Sequence, residues 1–524
     1  MRSRPVLLFG FEDQPNLGLG YLASVLEQDG FSVEFVDCRL DTSRVFQLVA
    51  DRDPLIIGLS IIYQYFTPRF ANLVRLLREE GTQAFICAGG HYPSLRPRDV
   101  LDVMPGLDCV VRFEGEETLL EIARRLREGE AWHDVRSIAY RTETETVETP
   151  LRPLIDDLDR LPFPRRPRSP DEILGVPFST ILASRGCPRD CTFCSIRQFY
   201  AAPPGRIRRV RSPENVVEEM LGLFHDQGVR VFLFQDDDFS LLAPADRQWA
   251  LQFAESLKVH GLGQSVLWKM SCRSDEVEPE ILSKLRDVGL FLVYLGIESG
   301  NETGLRALNK HITVAQNRDA IRTLRALDLR YEFGFMLFDP ASTFDLVLEN
   351  AQFLQEICGD GSAVAPFCKT LPYAGTTLEE DLQRQGRLKG DPIHPDYSFG
   401  DPRIDAWFAY LSDVLYPWAA EPGCLQAQLR WSLVEVDLLE RLLPTPDGTA
   451  QHKEKIWSLA AWHNEIFRRV VVESAEEFRA GRKQSAMALT SIRQSAEEQR
   501  RWMVERLAAQ REAFLSGIAG SHSP

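Results

Sequence analysis

Three of the ten cysteines in this 524-residue sequence stand together in 186-GCPRDCTFCS-195, while the others are scattered singly. Cys187, Cys191 and Cys194 fall on one loop, directly after a predicted strand ending in Arg185-Gly186 and held open by Pro188. Three thiolates can bind zinc, but a structural zinc site takes four ligands. No fourth Cys or His lies at a suitable spacing nearby. A cubic iron–sulfur cluster held by three cysteines instead leaves one iron free to coordinate a small molecule. Other groups with chemical potential stand at predicted strand ends: Asp236, Asp237 and Asp238 in 234-FQDDDFS-240, Arg273 in 271-SCRSD-275, and Glu298 in 295-LGIESGNE-302. Each has a plainer reading. The acids can cap the next helix, and Arg273 can form a surface ion pair. Glu298 closes an apolar strand, where a carboxylate is costly without a partner. Lys310 and His311 in 308-LNKHIT-313 can be a solvated helix end, and the basic run 206-RIRRVRS-212 can contact carboxylates.

The elements that would position these residues follow from periodicity. Residues 1–145 alternate apolar runs (5-PVLLFGF-11, 32-SVEFVDC-38, 54-PLIIGLSII-62, 84-AFICAGGH-91, 108-DCVVRF-113) with amphipathic segments, the pattern of βαβ units around a parallel sheet. In a doubly wound domain ligands bind at the carboxyl ends of the strands, so Gly18, Gly20, Ser60, Gly89 and Gly90 form a candidate rim. Residues 146–177 carry Pro at short intervals and read as an extended linker. From 178 to 400 six β-then-α units predict a partial (β/α)6 barrel with its chemistry at the strand carboxyl ends, the strands being 178–186, 229–239, 265–275, 290–299, 330–338 and 364–373. Residues 401–524 read as a helical domain, for packing or for a homodimer contact; its Trp407, Tyr410, Tyr416 and Trp418 read as core or as a pocket mouth.

A net charge of −16 argues against a protein built to grip nucleic-acid phosphates. The amino-terminal MRSRPVLLFGFEDQPNLG reads as a first strand and not a signal peptide, and no run approaches the ~18 apolar residues of a membrane span. The expectation is a cytoplasmic α/β enzyme with no nucleic-acid or membrane partner, its cysteines present as thiols or metal ligands.

The Cys-x3-Cys-x2-Cys spacing, with Phe193 just before the last Cys, resembles the cluster loop of radical S-adenosylmethionine (SAM) enzymes. The resemblance implies a [4Fe–4S] cluster on Cys187, Cys191 and Cys194, with SAM chelating the fourth iron. It further implies a 5′-deoxyadenosyl radical that abstracts a substrate hydrogen, and an external one-electron reductant such as flavodoxin or ferredoxin. Carried over residue by residue, it places Asp236, Asp237 and Asp238 near the SAM amino group and Arg273 near its carboxylate or the substrate. Glu298 would approach the ribose or methionine end, and Phe193 would shield the cluster beside the adenine.

A doubly wound domain ahead of such a barrel resembles the cobalamin-binding radical SAM class, over roughly residues 1–390. The shared stretches are 17-LGLGYLASVLEQDGFSVEFVD-37, 57-IGLS-60, 88-AGGHYPS-94 and 114-EGEETLLEI-122. The resemblance implies cobalamin contacts at Gly18, Ser60, Tyr63, Gln64, Gly89 and Gly90, because a corrin and its tail must approach the backbone closely. The motif Asp-x-His-x-x-Gly is absent, so no histidine ligand to cobalt is expected. Tyr63, Gln64 and Tyr65 in 61-IIYQYFTP-68 would cover the lower face of the corrin, or fill a pocket from which cobalamin has been lost. The implied activity is methyl transfer to an unactivated carbon or phosphorus of a small natural-product intermediate, as in antibiotic biosynthesis. The rival is a radical dehydration, epimerisation, ring contraction or cyclisation without methyl transfer. An RNA-modifying methylthiotransferase would need a second cluster and a basic appendage, which the acidic balance and the singly placed cysteines oppose.

Overall fold

The computed structural model describes residues 4–11, 16–167, 169–443, 448–480 and 485–521. Met1–Ser3 and residues 12–15 of the amino-terminal reading, and residues 481–484 of the predicted helical run, lie outside the described residues.

The first unit runs β1 (Val6–Gly10), α1 (Leu17–Gln28), β2 (Val33–Asp37), α2 (Thr42–Arg52), β3 (Ile56–Ser60), α3 (Thr67–Glu79), β4 (Phe85–Gly89), α4 (His91–Leu95), α5 (Pro97–Val103), β5 (Cys109–Val111), α6 (Glu116–Glu128), β6 (Ile138–Arg141) and β7 (Thr146–Glu148). The sheet order is β2-β1-β3-β4-β5-β6-β7, parallel through β5 and antiparallel at β6 and β7. Successive side chains of a strand point to opposite faces. In β1, Leu7 and Phe9 therefore enter one core and Val6 and Leu8 the other. Helices cover both faces. The Pro-rich segment follows in close contact: Arg165 N–H donates to Gly20 O, and a Cβ at Gly20 would stand 2.7 Å from Arg165 O. Packing against the Pro-rich segment thus already requires glycine at position 20.

The second unit contains β8 (Asp171–Ile173), β9 (Val176–Ile181), β10 (Ser184–Arg185), α7 (Ser195–Ala201), β11 (Arg209–Val210), α8 (Pro213–Gln227), β12 (Val231–Phe234), α9 (Pro244–Val259), β13 (Leu267–Arg273), α10 (Pro279–Arg286), β14 (Leu290–Glu298), α11 (Glu302–Ala307), α12 (Val314–Ala326), β15 (Arg330–Phe335), α13 (Phe344–Cys358) and α14 (Thr377–Arg384). Its sheet order is β15-β14-β13-β12-β9-β8, parallel except for β8. Two predicted strands differ. The run 229–239 stops pairing at Phe234, because the carboxylates that follow take backbone amides of the neighbouring segment. The run 364–373 contributes one parallel bridge, Phe338 to Lys369, and otherwise leaves the sheet. The Pro-rich run read as a linker also contributes β8 as an edge strand.

After the short hairpin β16 (Leu388–Gly390) and β17 (Pro395–Tyr397) come α15 (Pro402–Ala419), α16 (Leu425–Arg441), α17 (Thr449–Ala480) and α18 (Ser485–Ser521). These helices share one apolar core with the barrel strands and helices. Trp407 and Trp418 are fully buried in it, which answers the pocket-mouth reading for both, while Tyr416 is exposed. Asn464 pegs α17 to the barrel: its Nδ2 donates to Cys358 O and Ala363 O, and its Oδ1 accepts from Ala365 N–H. No helix among the described residues is long and apolar enough to cross a membrane.

The imidazole of His463 lies beside Asn464, 1% exposed. Burial holds its pKa at about 4, against 6.5 in the unfolded chain. A base with a depressed folded pKa contributes its full stability above pH 6.5 and loses it as pH falls toward 4. Acidification across that window should therefore cost on the order of 3 kcal/mol from this group. Urea titrations at pH 7.5 and 4.5 should show a smaller acid loss in His463→Gln; an identical loss would assign the effect elsewhere.

Candidate active site

The three-cysteine loop is bracketed by the ribbon β10–β11, in which Ser184 pairs Val210 and Arg185 pairs Arg209. The turn into the loop is made by Gly186 at φ +83°, where an added Cβ would lie 2.1 Å from Ile207 O. Only glycine fits. Gly186→Ala adds about 1–2 kcal/mol of left-handed strain to that clash and should lower iron and sulfide incorporation, read by metal and sulfide analysis after reconstitution. Full incorporation would show that the turn tolerates displacement.

Barrel loops hold the remainder. Thr192 N–H donates to Leu308 O (3.1 Å), Asn309 Nδ2 to Asp190 O (3.1 Å), and Leu378 N–H to Thr192 O (2.9 Å). Arg189 donates to Glu276 (2.8 Å), whose side chain is completely buried. The three thiols act on one another electrostatically; burial pushes Cys187 up to about 12 and Cys194 up to about 11. Burial also raises Cys191, against the field of Lys310 and Arg273.

The three acids after β12 divide. Asp236 accepts from Ala183 N–H (3.1 Å) and Ser184 Oγ (2.5 Å), and Asp237 accepts from Gly186 N–H (2.8 Å). Both brace the segment entering the cysteine loop. Asp238 lies 3.9 Å from Cys187 Sγ. Burial raises all three, Asp237 to about 6 and Asp238 further, with the neighbouring Glu276 adding to Asp238. The helix-cap reading fails, since α9 starts at Pro244 and is capped by Asp246.

Glu298 ends β14 at φ +66° and is buried with Lys310, Nζ to Oε1 3.2 Å. A non-glycine residue there is strained, and such strain gathers at functional sites. Two glycines make room: a Cβ at Gly296 would lie 2.6 Å from Lys310 Nζ, and one at Gly334 3.2 Å from Glu298 Oε2. Asn309 and His311, flanking Lys310, also have positive φ. Burial opposes the charge of Lys310, but Glu298 and Cys191 outweigh it and raise its pKa. Lys310 is therefore no solvated helix end; that description suits His311, exposed beside Asp190. Arg273 is buried, donating to Asp275 (2.9 Å) and to Lys310 O (2.6 Å), so the surface-pair reading fails as well. Phe193 is half-buried against the barrel core.

Sequence reasoning passed over Glu276, Arg189, Tyr294 and Cys368. Tyr294 was accessible by alternation, since it shares a strand face with Gly296 and Glu298. Cys368 had no signal: it is a single cysteine, brought 3.9 Å from Met336 Sδ and into the field of Glu298 only by the fold.

In the first unit, Ser60 and Gly89 end adjacent parallel strands, and Gly18 lies exposed on α1. Gly90 has φ +113°, and a Cβ there would stand 2.4 Å from Ile61 O, so local backbone geometry already requires it. Tyr63 and Tyr65 stack at 5.4 Å and stay exposed, with Tyr373 of the barrel 6.2 Å from Tyr63. Gln64 is buried, its Nε2 donating to Pro392 O and its Oε1 accepting from Ala374 N–H. Each amide atom thus already has one partner within the protein. On the other side, the His91 ring lies 4.4 Å from Phe199 in α7, the helix that continues from Cys194. The carboxyl rim of the first sheet therefore adjoins the cysteine loop.

The donor set suits the expected groups. Three half-buried thiols on one loop match a cluster with one open iron. No three His, Cys, Asp or Glu side chains among the described residues form a site for one metal ion. The rim sets small residues beside an exposed aromatic platform, which suits a large ring approaching backbone.

Residues 10–123 match the family model of the B12 binding domain, and residues 181–354 that of the radical SAM superfamily. The chain is a radical SAM enzyme with a B12-binding domain ahead of its barrel. It is 29% identical over 376 residues to an uncharacterized methyltransferase of Pyrococcus horikoshii, covering 70% of this chain and 78% of that protein. It is also 29% identical over 394 residues to the anaerobic magnesium-protoporphyrin IX monomethyl ester cyclase of Cereibacter sphaeroides, covering 71% of this chain but 61% of the cyclase. Among solved structures, the cobalamin-dependent SAM radical enzyme OxsB with aqua-cobalamin bound superposes with a TM-score of 0.71 at 18% identity, over 98% of this chain and 81% of OxsB. That likeness establishes the shared fold.

Proposed function

We propose that the protein is a cobalamin-dependent radical SAM methyltransferase acting on an unactivated carbon or phosphorus of a small natural-product intermediate. The observation that carries the reading is the contact of the first sheet's rim with the second unit, through His91 and Phe199 in the helix that follows the cysteine loop and through Tyr63 and Tyr373 in the segment 364–373. In this reading Cys187, Cys191 and Cys194 hold the cluster, and Gly18, Ser60, Tyr63 and Gly89 line the cobalamin seat. When bound, the cluster supplies the electron that cleaves SAM and cobalamin supplies a methyl group.

The chain's task is placement. Asp236 and Asp237 fix the entry to the loop, Asp238 faces SAM beside Cys187, and Phe193 packs beside the adenine. Lys310 and Arg273 offer positive charge for the SAM carboxylate, and Glu298 offers an acceptor for its ribose or amino group. An external flavodoxin or ferredoxin would deliver the electron in the cytoplasm, and the exposed side of α18 would suit a homodimer contact.

The cyclase likeness favours a second reading, radical chemistry without methyl transfer. Anaerobic reconstitution with iron and sulfide, with and without hydroxocobalamin, separates the two. S-adenosylhomocysteine formed together with 5′-deoxyadenosine is the expected result; 5′-deoxyadenosine alone, or no retained cobalt, would remove methyl transfer.

A further inference from the structure

Four buried charges join the two units beside the cysteine loop. Arg209 Nη1 donates to both oxygens of Glu114, at 2.8 and 2.9 Å, and to Ile155 O at 3.0 Å. Arg185, its partner across the ribbon, reaches Glu114 at 3.2 Å and Glu116 at 2.7 Å. The Arg209 side chain is completely buried, and none of the other three is more than 10% exposed. Glu114 also accepts from Ile155 N–H at 2.7 Å. Glu114 and Glu116 stand at the start of α6, next to Phe113, whose ring meets Phe199. The arginines lie over aromatic rings of both units, Arg185 over Tyr21 and Arg209 over Tyr200.

An apolar contact of the same volume would hold two domains together as well as buried ion pairs do. What the charges add is direction: one carboxylate that must meet two guanidiniums allows a single register between the ribbon and α6. We propose that Arg209, with Arg185 and Glu114, is a positioning residue that sets the alignment between SAM on the cysteine loop and the cobalamin rim. This rests on the function proposed above.

The test uses the reconstituted holoenzyme and the variants Glu114→Gln, Arg209→Lys and Arg209→Met, without added acceptor. 5′-Deoxyadenosine reports SAM cleavage at the cluster alone. S-adenosylhomocysteine reports methyl transfer between the sites: the methyl group leaves the SAM sulfonium for cob(I)alamin, generated with titanium(III) citrate, whose electron pair forms the new bond, while the broken bond's pair stays on the departing sulfur. Because a misplacement of about 1 Å can cost on the order of 10²-fold, Glu114→Gln and Arg209→Met should lose S-adenosylhomocysteine formation on that scale while 5′-deoxyadenosine changes by less than about threefold. Arg209→Lys should recover part of the loss. Hydrogen exchange of the protein without cofactors should quicken at residues 184–185 and 209–210 in Glu114→Gln and stay unchanged in β12 to β14. Parallel loss of both products, or unchanged exchange at the ribbon, would overturn the proposal. If the wild type forms no S-adenosylhomocysteine, the methyl-transfer reading fails, and the exchange pattern alone decides whether the bridge fixes the ribbon.

Discussion

Cys191→Ala, like Cys187→Ala and Cys194→Ala, is expected to give a folded, soluble protein that forms no detectable 5′-deoxyadenosine from SAM. The loop's hydrogen bonds run through Thr192, Asn309 and Leu378 and through the Arg189–Glu276 pair, none of which involves a thiol. All three thiols are only half-buried, so truncation opens little cavity. A cluster left with two protein ligands has lost the geometry that reserves one iron for SAM. Anaerobic assays with dithionite, alongside far-ultraviolet circular dichroism, would measure both halves of the expectation. Turnover retained by any one variant would refute the cluster assignment.

Lys310→Met should be the most destabilising single change in the site. It leaves Glu298 buried at a strained backbone position with its ion-pair partner gone. Removing one member of a buried pair costs about 3–5 kcal/mol, because the remaining charge stays desolvated. The double variant Glu298→Gln/Lys310→Met should recover much of that, since neither charge remains; the difference between the single and double variants measures the coupling. Urea unfolding at pH 7.5 supplies the numbers. A single variant as stable as the wild type would mean that Glu298 reaches water or takes another partner. SAM affinity should fall in both variants, because Lys310 and Glu298 are both among the proposed SAM contacts.

The sequence by itself determined the order of units and the chemistry on offer. Alternating apolar runs are enough to specify a doubly wound sheet, since every strand buried on two faces must be apolar throughout. Three cysteines four and three residues apart are bound to lie near one another whatever the fold around them. The strand-end positions of Arg273 and Glu298 were likewise readable, because an apolar run that stops at a charge marks where a strand leaves the core.

Partnership was not readable. Lys310 and Glu298 are twelve residues apart and meet only because β14 and the turn after α11 curl back on each other. Gln64 sits on a short loop of the first unit, yet its amide bonds to Ala374 and Pro392, more than three hundred residues away. Glu114 stood in the sequence only within a stretch shared with the cobalamin-binding class, and is the hub of a buried bridge to Arg185 and Arg209. Local pattern reports which face of an element is apolar, because that depends on neighbours in the chain. Which charge answers a buried charge depends on neighbours in space, and only tertiary structure decides those.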